Sequence, residues 1–120
     1  MKPKILIIED QIRMAQLLSM ELNHEGYQTD MEADGEAGLE KIRNGSYDAV
    51  LLDFMLPGMD GKEVCTKVRA FSNIPIIVLT ARDDVRSSIL EAGANECLQK
   101  SFSLQAMLEL LQKFTACRER

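Results

Sequence analysis

The stretch Ala49-Val50-Leu51-Leu52-Asp53-Phe54-Met55-Leu56-Pro57-Gly58-Met59-Asp60-Gly61 decides how the rest of the chain is read. An apolar run breaks off in a carboxylate, and a proline and two glycines follow. Strand length and aliphatic, β-branched content make Tyr47 to Asp53 a buried strand. Pro57, Gly58 and Gly61 punctuate the turn that leaves it. Asp53 is thereby fixed at the carboxyl end of a buried strand, facing a loop. In open α/β sheets, that edge is where ligands bind.

Working outward, strands and helices alternate. Lys4 to Asp10 is a buried strand ending in two acids, Glu9 and Asp10. Gln11 to Glu25 has helical spacing, with Ile12, Ala15, Leu18, Ser19 and Leu22 on one face and Gly26 at the C-cap. Tyr27 to Met31 alternates as an edge strand. Gly35 to Asn44 is a helix closed by Gly45, and Lys62 to Phe71 is another. Ile74 to Thr80 is a buried strand, with Pro75 tolerated at its start. Asp83 to Ala92 is a short helix stopped by Gly93. Glu96 to Gln99 is a short strand. Ser103 to Ala116 is a last helix with Leu104, Met107, Leu108, Leu111 and Phe114 as its core stripe. Such alternation implies right-handed crossovers and an α/β fold: a doubly wound, five-stranded parallel sheet in the order 2-1-3-4-5, with helices on both faces. Glu9, Asp10, Asp53, Thr80 and Lys100 then share one edge of the sheet.

The 120 residues suit one domain, taken as 1–120, and a 46% hydrophobic content supports a core. A net charge of -5 argues against nucleic-acid binding by this domain, which needs clustered Lys and Arg. Apolar runs such as Ile5 to Ile8 fall far short of a membrane span, and no signal-type segment follows Lys2 and Lys4, so a cytoplasmic location is expected. Cys65, Cys97 and Cys117 are an odd count without CxxC spacing and read as structural thiols. His24, the only histidine, reads as exposed and structural. Met14, Met20, Met31 and Met107 read as core filling.

Three carboxylates at one strand edge repel one another and are costly to desolvate. A hard divalent cation with oxygen ligands relieves this, and Mg2+ is the usual choice because it keeps waters and accepts phosphate oxygens. Asp53 can act as a nucleophile toward a phosphoryl group. Lys100 supplies a cation on the other side of that group, and the Thr80 hydroxyl can donate to its oxygens. Singly, each has an ordinary reading. Asp10 suits a helix N-cap, Thr80 a strand end, Lys100 a solvated surface, and Asp60 a turn. Jointly, four strands delivering acid, acid, hydroxyl and amine to one edge outweigh those readings.

Over essentially its whole length the chain resembles the receiver domain of a bacterial two-component response regulator. The matching pieces are Ile8-Glu9-Asp10, Leu52 to Gly61, Leu79-Thr80-Ala81-Arg82, and Gly93-Ala94 leading to Lys100. The resemblance implies a signalling switch rather than an enzyme acting on other molecules. Asp53 would accept a phosphoryl group from a sensor histidine kinase. Asp10, Asp53 and the Met55 backbone carbonyl would bind Mg2+, with Glu9 acting through water. Thr80 and Lys100 would bind the phosphoryl oxygens. Met55 and Arg82 resemble the OmpR/PhoB-like, DNA-binding subfamily. The switch surface, and the face of a possible homodimer, would be the fourth helix, fifth strand and fifth helix.

The chain departs from the family at several positions. Cys97 stands where the family has Tyr or Phe, and Ser101 stands where it has Pro after the Lys. The stretch from Thr80 to Gly93 is short. Ala106 and Leu110 replace an acid and an arginine on the dimer face, which becomes more apolar. A cis Lys100–Ser101 bond would cost about 2.5–4 kcal/mol, so a trans bond is expected there, with Lys100 still directed at Asp53. Two other functions compete. A degenerate, phosphorylation-independent receiver is favoured by Cys97, Ser101 and the shortened fourth-helix region, and the intact acid set counts against it. A haloacid-dehalogenase-like phosphohydrolase needs a second Asp two residues after the first, where this chain has Met55.

Overall fold

The computed structural model describes residues 2–82, 84–99 and 103–116. Five strands, β1 (Lys4–Ile8), β2 (Gln28–Glu32), β3 (Ala49–Asp53), β4 (Ile76–Thr80) and β5 (Glu96–Gln99), form one sheet in the order β2-β1-β3-β4-β5. Every pairing is parallel. The helices are α1 (Ile12–His24), α2 (Gly35–Asn44), α3 (Gly61–Arg69), α4 (Arg86–Glu91) and α5 (Leu104–Ala116). The expected fold and strand order are those observed.

The strand alternation sorts the core into two layers. Leu6, Ile8, Val50, Leu52, Ile76 and Val78 face α2, α3 and α4, meeting Leu39, Ile42, Val64, Val68 and Ile89. Ile5, Ile7, Ala49, Leu51, Ile77 and Leu79 face α1 and α5, meeting Ala15, Leu18, Leu22, Met107 and Leu111. All five residues of β3 and of β4 are buried, as continuous apolar runs in a doubly covered parallel sheet should be. Packing is tight enough that a Cβ on Gly38 would collide with Ile8.

Several sequence readings are corrected. Ile12 is 68% exposed: it opens α1 over the carboxyl edge, beyond the strand residues its face was meant to cover. Met20 and Met31 are exposed too, so of the four methionines only Met107 is fully buried. Asp10 does not cap α1; the N-cap is Gln11, without a side-chain bond. The fourth helix is shorter than the expected 83–92, starting at Arg86. Asp60 is more than a turn residue. It caps α3 by accepting the Glu63 N–H at 3.0 Å, as Asp34 caps α2 through the Ala37 N–H at 2.8 Å.

The amino edge of the sheet is fastened by polar groups. Tyr47 donates its hydroxyl to Asp30 Oδ2 at 2.6 Å, and the Lys4 ammonium lies 3.4 Å from the same oxygen. The Tyr47 bond holds Asp30 below its ordinary carboxylate range, while burial and then Asp30 push the Tyr47 phenol up. Arg69, the last residue of α3, donates to the carbonyls of Gly93 (2.9 Å), Ser72 (3.1 Å) and Ile74 (2.8 Å) and to Asn95 Oδ1 (2.9 Å). The same Asn95 oxygen accepts the Ile76 N–H that opens β4. One guanidinium thus joins α3 to the turns entering β4 and β5. Its truncation leaves four acceptors short of a donor, so Arg69→Ala should lower unfolding free energy by about 2–3 kcal/mol. Arg69→Lys should recover only part of that, because an ammonium lacks the planar fork. Urea unfolding of the two variants measures both effects.

Candidate functional site

β1 and β3 are neighbours, with Ile8 opposite Leu52. The chain therefore emerges from both strands at one place, carrying Glu9 and Asp10 from one and Asp53 from the other. One carboxylate oxygen from each lies within 4.8 Å of the other two. Glu9 and Asp53 are only 3% and 2% exposed, whereas Asp10 is open to solvent. Main-chain bonds hold the lip: Glu9 N–H donates to the Glu32 carbonyl and Phe54 N–H to the Leu79 carbonyl, both at 2.9 Å. Two unit charges about 4 Å apart repel by about 4 kcal/mol at an effective dielectric of 20. A donor set that is all oxygen, mostly buried and open on one side fits a hard divalent cation that retains waters.

The residues around this cluster also come from strand ends. Thr80 closes β4 next to β3 and is 1% exposed, with its Oγ1 accepting the Arg82 N–H at 3.0 Å. Met55 lies on the loop leaving β3, its side chain exposed and its N–H 3.4 Å from Asp53 Oδ1. The Glu9 carboxylate accepts the Gln11 N–H at 3.2 Å, so Glu9 rather than Asp10 engages the start of α1. With Asp10 released from capping, its ordinary reading falls away. Lys100 and Ser101, and with them the expected trans bond and the direction of Lys100, lie outside the described residues. Cys117 does too.

The two described thiols, Cys65 and Cys97, are not part of the site. Cys65 is buried and pushed up to about 12 by that burial, and burial likewise raises Cys97. Both are free and protonated at neutral pH. Beside Thr80, Arg82 turns its guanidinium onto Asp84, with contacts of 3.0 and 2.7 Å, and that bond raises the arginine and lowers the aspartate. Sequence reasoning missed Arg86, whose Nη1 donates to the Cys97 carbonyl at 2.6 Å and whose Nη2 meets Glu96 at 3.0 Å. No motif marks it, because half of its partnership is a main-chain carbonyl. His24 is exposed in the last turn of α1, as expected.

Residues 5–112 match the family model described as the response regulator receiver domain. The chain belongs to the response regulator receiver domain family. This receiver domain is 41% identical over 107 residues to the response regulator ArlR of Staphylococcus saprophyticus, a match covering 88% of this chain and 49% of that relative. The chain thus spans about half the length of the ArlR relatives it matches, and they support the OmpR/PhoB-like affiliation read from Met55 and Arg82. Among solved structures, the receiver domain of Francisella response regulator 1452 is similar at a TM-score of 0.93 and 27% identity, over 99% of this chain and 100% of that one. The response regulator TrrA of Thermotoga maritima, solved in complex with Mg2+-BeF, is similar at 0.87 and 37% identity, over 95% of this chain and 99% of that one.

The acidic cluster of this receiver domain yields a direct test. A cation that binds only the folded chain stabilises it by about 1.4 kcal/mol at ten times its dissociation constant. For a domain of this size that is about 5 °C in melting temperature. Millimolar Mg2+ should raise the melting temperature of the wild type, and Asp10→Asn should remove most of the gain. Equal melting curves with and without Mg2+ would show that the three acids do not act as a cation site.

Proposed function

We propose that the chain is a phosphorylation-dependent switch of a two-component system, with residues 1–120 acting as one phosphoacceptor domain. Asp53 is the acceptor. Its carboxylate oxygen attacks the phosphorus of a phosphohistidine on a sensor histidine kinase. A P–O bond forms, the P–N bond breaks, and the imidazole leaves with the electron pair. The observation that carries this reading is the meeting of Glu9, Asp10 and Asp53 within 4.8 Å at the carboxyl edge, with Thr80 buried on the next strand.

Mg2+, when bound, supplies charge neutralisation for the incoming phosphoryl oxygens. Asp10, Asp53 and the Met55 carbonyl would hold it, with Glu9 acting through water. Thr80 offers its hydroxyl proton to a phosphoryl oxygen, and Lys100 supplies an ammonium to another. The chemistry stops at the domain's own carboxylate and its hydrolysis, so the chain is a switch and not an enzyme with a separate substrate. Its output is a change in the surface of α4, β5 and α5. ArlR is called a response regulator, and TrrA was solved with Mg2+-BeF; both support the reading.

The net charge of -5 favours a protein partner over direct nucleic-acid contact by this domain. No helix among the described residues is long and apolar enough to cross a membrane, and a cytoplasmic location fits the kinase partner. The competing reading, a phosphorylation-independent receiver, is favoured by one feature: a small buried thiol, Cys97, occupies the middle of β5.

Incubation with radiolabelled acetyl phosphate and Mg2+ separates the two. The expected result is one acid-stable, base-labile label per chain, absent in Asp53→Asn and without Mg2+. Equal labelling of Asp53→Asn would overturn the assignment of Asp53, and no labelling of a folded wild type would favour the competing reading. A second expectation concerns dimerisation. Ala106 and Leu110 are half-buried on α5, so a phospho-dimer through this face rests on apolar contact. Sedimentation from 0.1 to 1 M salt, across which screening shortens from about 10 to about 3 Å, should leave its dissociation constant nearly unchanged. Dissociation in high salt would point to charge pairing instead.

A further inference from the structure

The segment after β4 connects the site to the outer part of the sheet through two arginines. Thr80 Oγ1 accepts the Arg82 N–H at 3.0 Å, so the hydroxyl that borders Asp53 also anchors the loop into α4. That helix is only six residues long, has no side-chain cap at its start, and buries Ile89 alone. A helix of this length has little stability of its own and is held by its tertiary contacts. Arg86, its first residue, provides two of them. Nη1 donates to the Cys97 carbonyl at 2.6 Å and Nη2 pairs with Glu96 at 3.0 Å, both on β5.

The two contacts differ in weight. The pair with Glu96 is half-exposed, at 52% and 29% of the side chains, and such pairs contribute little alone. The bond to the Cys97 carbonyl is short, charge-assisted and partly shielded, and is the stronger of the two. Cys97 itself belongs to the core cluster that includes Cys65 and Ile89 and is 6% exposed. What α4 grips is therefore the main chain of β5, and the side chain at 97 is not the handle.

We infer that Arg86 is a latch: it holds α4 against β5 in the resting conformation and opposes the shift that follows when Thr80 turns toward a group on Asp53. The inference rests on the phosphoacceptor reading above. Turning the Thr80 hydroxyl toward Asp53 withdraws the acceptor of the Arg82 N–H, and the loop must follow or lose that bond. Four residues later the movement meets Arg86, which resists it from β5. Arg86 contacts the Cys97 carbonyl and Glu96 and touches no reacting atom, so it is a positioning residue, and it sets how much of the population is competent for activation. A ligand that selects the competent state binds more tightly when that state is more populated.

The test uses the 120-residue chain and beryllofluoride with Mg2+ as the probe, with binding followed by NMR. Arg86→Ala should tighten the apparent affinity by about three- to tenfold, because the resting state loses its tie. Arg86→Lys should fall between, since it keeps the charge facing Glu96 without the fork. In the absence of probe, hydrogen exchange in Arg86→Ala should accelerate in α4, at amides such as that of Ile89, and stay unchanged in β1 and β3. Unchanged or weaker beryllofluoride binding by Arg86→Ala, with normal binding by wild type, would overturn the latch and leave the acceptor reading standing. Exchange that rises throughout the sheet would also overturn it, showing Arg86 to be a general stabiliser. Failure of the wild type itself to bind the probe would remove the acceptor reading and the latch with it.

Discussion

The pairing of β3 between β1 and β4, under helices on both faces, is the constraint on which the site depends. Neighbouring strands in a sheet lie about 4.8 Å apart. Acids at the ends of two adjacent strands are therefore brought together whether or not their charges favour it. Here β3 is buried over its whole length and carries Asp53 as its last residue. Ile8 lies opposite Leu52, so Glu9 and Asp10 leave β1 beside it. The apolar core holds the carboxylates where their own repulsion would disperse them. An unfolded chain has no such concentration of charge, so the cluster exists only as part of the fold.

The two edges of the sheet are built differently. At the amino edge, Arg69 ties three segments with four bonds, and Gly93, at φ 118°, brings its backbone so close that a Cβ would lie 2.6 Å from the Arg69 Cγ. Only glycine suits that backbone and that approach. At the carboxyl edge, α4 is short, and among the described residues the loop after Thr80 is held by the Arg82 N–H bond to the Thr80 hydroxyl, an exposed Arg82–Asp84 pair and the buried Val85. Stability is unequally distributed, as it is in proteins whose function requires part of the structure to shift while the rest stays folded.

Much of this was legible because the decisive signals are local. Val50 to Leu52 and Ile76 to Leu79 are apolar runs too short for helices, and the glycines mark the turns. Asp53 at the break of such a run locates the edge, and Glu9 and Asp10 repeat the signal on another strand. What escaped depends on groups the sequence does not display. Three of the four Arg69 bonds and one of the two Arg86 bonds go to main-chain carbonyls, which every residue possesses. Ile12 fits the helical stripe but lies beyond the sheet it should cover, since periodicity gives the face of a helix and not where the layer beneath it ends. Asp60 with Glu63 has the spacing of a capping pair, yet the turn signal of Pro57 and Gly58 masked it. The onset of α4 at Arg86, after the Arg82–Asp84 pair, is not marked by a side-chain cap.

β2 is the outermost strand on its side of the sheet, with one row of backbone groups left unpaired by the sheet. Such a row invites addition of a foreign strand. Asp30 and Glu32 lie on this strand, engaged by Lys4 at 3.4 Å and Lys41 at 3.2 Å. A strand docking alongside would have to strip water from both ion pairs, and a second copy would bring its own two acids to the same place. These ion pairs guard the edge against open-ended sheet growth without the sheet closing into a barrel.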